Sequence, residues 1–120
     1  MKISVLDCTL RDGGYINNWK FPLNQIIRLL ESLDKSNVDI VELGYLNDKS
    51  EQDIDSTLFE SIEHIDSNFK GLLTTAKVVV MINLFDFDID KLAPRKDSIV
   101  DGIRLAFHKK DIDYALIAAQ

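Results

Sequence analysis

At 120 residues the chain is long enough for one domain, and its 46% apolar and 28% charged residues are those of an ordinary globular protein. The formal charge is −6, and the 14 lysines and arginines are scattered rather than gathered in a patch. That balance argues for a solubilising acidic surface and against nucleic acid as a partner.

The first apolar run is Ile3-Ser4-Val5-Leu6, and the chain enters it directly from Met1-Lys2. It predicts a strand, with no apolar leader and no stretch of membrane-spanning length, so no membrane partner is expected. Cys8 is the one cysteine, which excludes an internal disulfide and makes a reduced, cytoplasmic setting the expectation. It is expected to be a small buried residue. A polar, glycine-bearing loop follows to about Lys20. Pro22 suits a first helical turn. Leu23, Ile26, Ile27, Leu30 and Leu33 then share one helical face, and Asn37 stops it.

The second run, Val38 to Leu43, ends at Gly44. Thr57 and Glu60 have capping-box spacing ahead of a short helix through Leu58, Phe59, Ile62 and Ile65, with His64 on its surface. Val78-Val79-Val80-Met81-Ile82 is a continuous β-branched run of the kind buried on both faces of a parallel sheet. Lys77 opens it, as a structural or solvated residue. A weak helix is expected near Asp88–Leu92, stopped by Pro94. The fourth run spans Ile99 to Phe107, and Asp111 can cap a last helix through Ile112, Ala115, Leu116 and Ala119.

Four strand–helix units in alternation predict an α/β fold with a parallel sheet. Pattern alone allows an open, flavodoxin-like sheet or part of a closed barrel. It favours the open sheet, because a full barrel takes roughly 250 residues.

The segment that carries chemistry is Leu6-Asp7-Cys8-Thr9-Leu10-Arg11-Asp12-Gly13-Gly14-Tyr15, at the C-terminal end of the first strand, where parallel α/β folds build sites. A carboxylate there can hold a hard cation. A neighbouring guanidinium can hold a developing enolate oxygen. By itself, an Arg-Asp pair before two glycines is more often the mark of a turn with a surface ion pair.

Asp7-x-Thr9-Leu10-Arg11-Asp12-Gly13 resembles the first-strand signature of the DRE-TIM metallolyase superfamily. That group includes 4-hydroxy-2-oxovalerate aldolase, HMG-CoA lyase, isopropylmalate synthase and homocitrate synthase. Ile40-Val41-Glu42-Leu43-Gly44 is similar to the family's second strand. Ile103-Arg104-Leu105-Ala106-Phe107-His108 is similar to the Arg-x-Ala-x-His fourth strand of the hydroxy-oxo-acid aldolases. The extended form through Tyr15, with Asn18-Trp19 after it, looks most like the proteins often labelled "aldolase catalytic domain". The resemblance covers nearly the whole chain. It implies four parallel βα units forming the N-terminal half of a TIM (β/α)₈ barrel, with residues 1–120 as one such half.

By this resemblance Asp12 is a metal ligand, to Mg²⁺ or Mn²⁺, and Arg11 stabilises the enolate of a pyruvate-like substrate. Glu42 orients Arg11 from the next strand; read without the resemblance, it is a strand residue facing solvent. Tyr15 and His108 are candidates to bind a small 2-oxo acid. Trp19 and Tyr15 line a pocket or cover the first loop.

The sequence departs from the family in two respects. Tyr15 stands where the hydroxy-oxo-acid aldolases have a histidine for acid–base catalysis, and Gly13-Gly14-Tyr15 replaces the Gly-Glu-Gln typical of the synthases. No His-x-His pair is present to complete a metal site. The expectation is a metal-dependent lyase half, inactive alone and completed by more of its own chain, a second chain or another copy of itself. The last helix, stopping in mid-pattern at Gln120, hints at a cut. The alternative is a non-catalytic half barrel that self-associates through open sheet edges.

Overall fold

Four parallel strands lie side by side in chain order, with α-helices between the first three. The computed structural model describes residues 3–92 and 96–120. The strands are β1 (Leu6–Asp7), β2 (Ile40–Leu46), β3 (Leu58–Phe59), β4 (Lys77–Asn83) and β5 (Val100–Ala106). The helices are α1 (Thr9–Asp12), α2 (Gly14–Asn17), α3 (Leu23–Lys35), α4 (Ile62–Phe69) and α5 (Ile112–Ala118). The sheet order is β1-β2-β4-β5, and the short β3 pairs in parallel with the far end of β2. The α/β expectation holds, and sequential parallel order is that of successive barrel strands.

One face of this sheet packs against α3 and α4. Val41, Leu43, Val78, Val80, Ile82 and Val100 share a continuous apolar cluster with Ile26, Leu30, Ile62, Ile65 and Phe69. Alternation along each strand sends the remaining residues to the other face. There Glu42 is level with Val79 and Gly102, and Tyr45 with Met81 and Arg104.

A bulge in β2 makes that layer possible. The register with β4 slips between Glu42 and Gly44. An extra residue reverses the alternation, so Glu42 and Tyr45 share a face although they are three apart. Gly44 sits at the bulge because nothing larger fits: a Cβ there would lie 2.1 Å from the Thr57 carbonyl oxygen.

Several local expectations need correction. β1 is Leu6–Asp7, not Ile3–Leu6; Ile3 and Val5 are exposed, with only β2 beside this edge to bury them. The loop after β1 contains α1 and α2. Pro22 is the residue before α3, while Asn37 does take the left-handed conformation. Thr57 and Glu60 form no capping box. Leu58 and Phe59 are extended because β2 offers free backbone groups beyond the end of β1, and Ser61 caps α4 through the His64 N–H. His64 is buried, not on the surface: Glu60 holds its Nδ1 at 2.6 Å, and Phe59 packs against its ring. Cys8 is partly exposed. The expected helix near Asp88–Leu92 is a 3₁₀ turn at Ile89–Lys91. The stop at Pro94, like the start at Met1 and Lys2, lies outside the described residues. In α5 only Ala115 is buried; Ile112, Leu116 and Ile117 are exposed. Among the described residues, no helix is long and apolar enough to cross a membrane.

Candidate active site

The C-terminal ends of β1, β2, β4 and β5 gather the polar side chains that the sequence singled out. Asp7 starts the arrangement. Its carboxylate accepts from both the N–H and the hydroxyl of Thr9 at 3.0 Å. This is the local bond by which aspartate turns a chain, and it folds Thr9–Asp12 into α1 directly after the strand. Leu10 is buried in the core, and its carbonyl accepts from the Thr57 hydroxyl at 2.9 Å. With Leu10 fixed inward, Arg11 and Asp12 fall on the sheet's open end.

Arg11 Nε donates to Glu42 Oε2 at 2.7 Å, and Nη1 donates to Asp12 Oδ1 at 2.8 Å. Glu42 is fully buried, so the solvent-facing alternative for it is excluded. Its other oxygen, Oε1, accepts from Arg104 Nη1 on β5 at 2.6 Å. A buried carboxylate is costly unless both its oxygens are answered, and here each receives a charge-assisted bond. Burial alone would lower the Arg11 pKa; the hydrogen bond and charge of Glu42, with Asp12, outweigh it and hold the guanidinium above its ordinary value.

A second polar group lies at the ends of β2 and β4. Tyr45 donates its hydroxyl to Asp86 at 2.6 Å, and Asn83 Nδ2 donates to the same oxygen at 2.9 Å. Burial, then the bond to Asp86, pushes the Tyr45 phenol upward. The Tyr45 and Asn83 bonds keep the Asp86 carboxyl below its usual range. Beside it opens a cleft of about 290 Å³ lined by Asn83, Leu84, Phe85, Asp86, Ala106, Phe107, His108 and Asp111.

Trp19 forms the rim on the β1 side. Its ring lies 4.8 Å from that of Tyr15 and 5.8 Å from that of Tyr45. It lies so close over Gly14 that a Cβ there would meet the indole at 2.2 Å. Trp19 has a left-handed backbone, φ 56°, a strained conformation for a large residue. Its indole N–H is buried without a partner among the described residues. Tyr15 itself is 58% exposed.

The structure thus brings Arg11, Asp12, Glu42 and Tyr15 to one end of the sheet. His108 lies past the end of β5, exposed, in the cleft wall. Lys77 opens β4 at the opposite end of the strand. For a divalent cation the donor set does not suffice. Asp12 is one carboxylate, already in contact with Arg11, and no group of three His, Cys, Asp or Glu among the described residues could hold a metal ion.

No protein-family model matches the chain. In sequence it is 33% identical over 88 residues to a probable 2-isopropylmalate synthase of Archaeoglobus fulgidus. That match takes in 73% of this chain and 16% of the relative. In structure it is similar to the N-terminal domain of a provisionally assigned aldolase from Bacteroides vulgatus. That similarity has a TM-score of 0.78 and 29% identity, over 98% of this chain and 40% of the other. The resemblance to the N-terminal half of a DRE-TIM metallolyase is borne out. The chain spans well under half the length of either relative.

In the DRE-TIM frame β1, β2, β4 and β5 stand as barrel strands one to four, and β3 is an embellishment of the second loop. Arg104 was the residue sequence reasoning passed over, although it opens the Arg-x-Ala-x-His match. The signal available was Glu42, a strand carboxylate with two oxygens to answer and only Arg11 assigned to it. Tyr45 and Asp86 had no such signal, since the bulge that turns Tyr45 to this face cannot be read from alternation.

Proposed function

We propose that this chain supplies the enolate-holding half of a lyase or synthase site acting on a small 2-oxo acid, making or breaking a carbon–carbon bond. The observation that carries the reading is Arg11. Its guanidinium is fixed at two points, Nε by buried Glu42 and Nη1 by Asp12, and these two bonds use two of its five N–H groups. A guanidinium fixed before the reaction can stabilise an oxyanion as it forms, without reorganisation cost. Glu42 is the positioning residue. Tyr15 and His108 are proposed substrate contacts on opposite walls. The kinship with a synthase and an aldolase half barrel supports the class of chemistry.

Mg²⁺ or Mn²⁺ belongs to the proposal as a cofactor to which this chain offers Asp12 alone, so its other ligands come from outside residues 1–120. A further part of the same polypeptide, a second chain or another copy of this chain would complete the barrel. A cytoplasmic setting is part of the same proposal.

The test is Arg11→Lys in the complete protein, assayed for 2-oxo acid release or consumption. Lysine keeps the charge but loses the fork that binds both Glu42 and an oxyanion. We expect kcat to fall by about 10²–10³, as when one oxyanion donor is removed, with KM changed far less. Turnover within about threefold of wild type would refute the role.

A further inference from the structure

We propose that Arg104 is the second anion-holding group of this site, taking the carboxylate of a 2-oxo acid whose oxo oxygen Arg11 holds. The inference rests on the lyase reading above and adds to it the residue that selects for a free carboxylate.

Three observations converge on Arg104. The first is charge. Arg11 and Arg104 share one carboxylate, Glu42, through its two oxygens at 2.7 and 2.6 Å. Glu42 is divided between the two guanidiniums, and the second carboxylate of the cluster, Asp12, pairs with Arg11 and leaves Arg104 with its share of Glu42. Asp12 contacts only Arg11, and from the solvent side, with 65% of its side chain exposed. The second is unspent donors. A guanidinium carries five N–H groups, and Arg104 gives one of them to Glu42. Its side chain is 48% exposed, against 14% for Arg11. The third is space. Arg104 is flanked along its face by Gly102 and Ala106, which have little or no side chain, and an added Cβ at Gly102 would meet nothing closer than 3.6 Å. Ala106, two residues along the strand, lines the cleft of about 290 Å³, near the small end of the range for ligand pockets.

The pairing fits a particular ligand geometry. Two guanidiniums bonded to opposite oxygens of one carboxylate are held side by side on that group. A 2-oxo acid carries two acceptors, its oxo oxygen and its carboxylate, on adjacent carbons, one for each guanidinium. Arginine's planar fork matches a carboxylate through two parallel bonds. Arg104 is then a specificity residue, not a scaffold for Glu42 alone.

The experiment compares pyruvate with its neutral amide, pyruvamide. Both are titrated by ligand-observed NMR against the complete protein carrying this chain, as wild type and as Arg104→Gln. The ratio of the two affinities is the readout. A residue that acts only by positioning Glu42 would weaken both ligands alike, since both carry the oxo group. Wild type should favour pyruvate by about tenfold or more, as for a charge-assisted hydrogen bond. Arg104→Gln should bind the two within about twofold. Should that variant not fold, because it leaves Glu42 without one partner, Glu42→Gln with Arg104→Met removes both charges together. It should likewise lose the preference. A preference kept in either folded variant overturns the role of Arg104 and leaves the lyase reading standing. Wild type that binds pyruvamide as well as pyruvate also overturns it. Wild type that binds neither overturns both.

Discussion

The buried carboxylate at the centre of the site gives the sharpest prediction. Glu42→Gln keeps the shape of the side chain and one acceptor oxygen. It replaces the other oxygen by an amide that must face a guanidinium, donor against donor. Removing one partner of a buried ion pair costs roughly 3–5 kcal/mol, because the other charge is left unanswered. Arg11, 14% exposed, falls under that rule. Arg104, 48% exposed, can turn to water, and its bond counts nearer the roughly 0–1 kcal/mol of a surface pair. With one acceptor retained, the expected loss is about 3 kcal/mol. Urea unfolding would show it as a midpoint lower by about 1–3 M at the usual slopes for small domains. A loss under about 1 kcal/mol would refute the argument, since Glu42 would then be reached by water or its bonds would be loose. A companion variant sharpens the point. Glu42→Leu with Arg11→Met removes both buried charges, and apolar replacements of whole buried pairs are often neutral. It should be more stable than Glu42→Leu alone. Additive losses would mean that the two residues are not coupled.

Three further outcomes follow from the geometry. Gly44→Ala should cost about 1–3 kcal/mol, as overpacked sites do, because its Cβ would meet the Thr57 carbonyl at 2.1 Å and the Phe59 ring at 2.6 Å; a thermal melt unchanged from wild type would show that β3 can move away freely. His64→Phe keeps a ring against Phe59 but strips Glu60 of its partner at 2.6 Å, so a loss of about 1–2 kcal/mol is expected by denaturant titration. Wild-type stability in that variant would show that Glu60 is satisfied by solvent. Asp34 accepts from the backbone N–H groups of Thr74, Thr75 and Ala76 and from both threonine hydroxyls, which holds its carboxyl far below the usual range. A carboxyl depressed in the fold stabilises it above the unfolded pKa, near ~4, and the contribution fades as pH falls from there toward the folded value. The gap in melting temperature between wild type and Asp34→Asn should therefore be full at pH 7 and shrink below pH ~4; an equal gap at both would contradict the linkage.

The sequence made the strands and the charged loop legible for a physical reason. β-branched runs such as Val78–Ile82 and the apolar face of α3 are local signals, and the cores they predict depend little on what lies elsewhere. Asp7-x-Thr9-Leu10-Arg11-Asp12-Gly13 was legible too, since its turn is made by side chains two residues apart. What stayed hidden depends on partners far along the chain. Leu58 and Phe59 read as helix because their strand pairing is donated by β2. His64 read as surface because burial of a polar residue is visible only with Glu60 and Phe59 around it. Arg104 and Glu42 are 62 residues apart, and nothing in either segment states that they meet.

The proton-transfer group is where this site parts from the aldolases it resembles. Tyr15 occupies the place of their catalytic histidine. Tyr45 is hard to ionise, because burial and its bond to Asp86 both disfavour the phenolate. Asp86 already accepts two hydrogen bonds and is held as the carboxylate, so it is a weak proton acceptor. Glu42 has no free oxygen. His108 is the one imidazole in the cleft among the described residues, two residues beyond Ala106 at the end of β5. His108, with Asp111 beside it in the cleft lining, is what this chain offers there on the proposed chemistry.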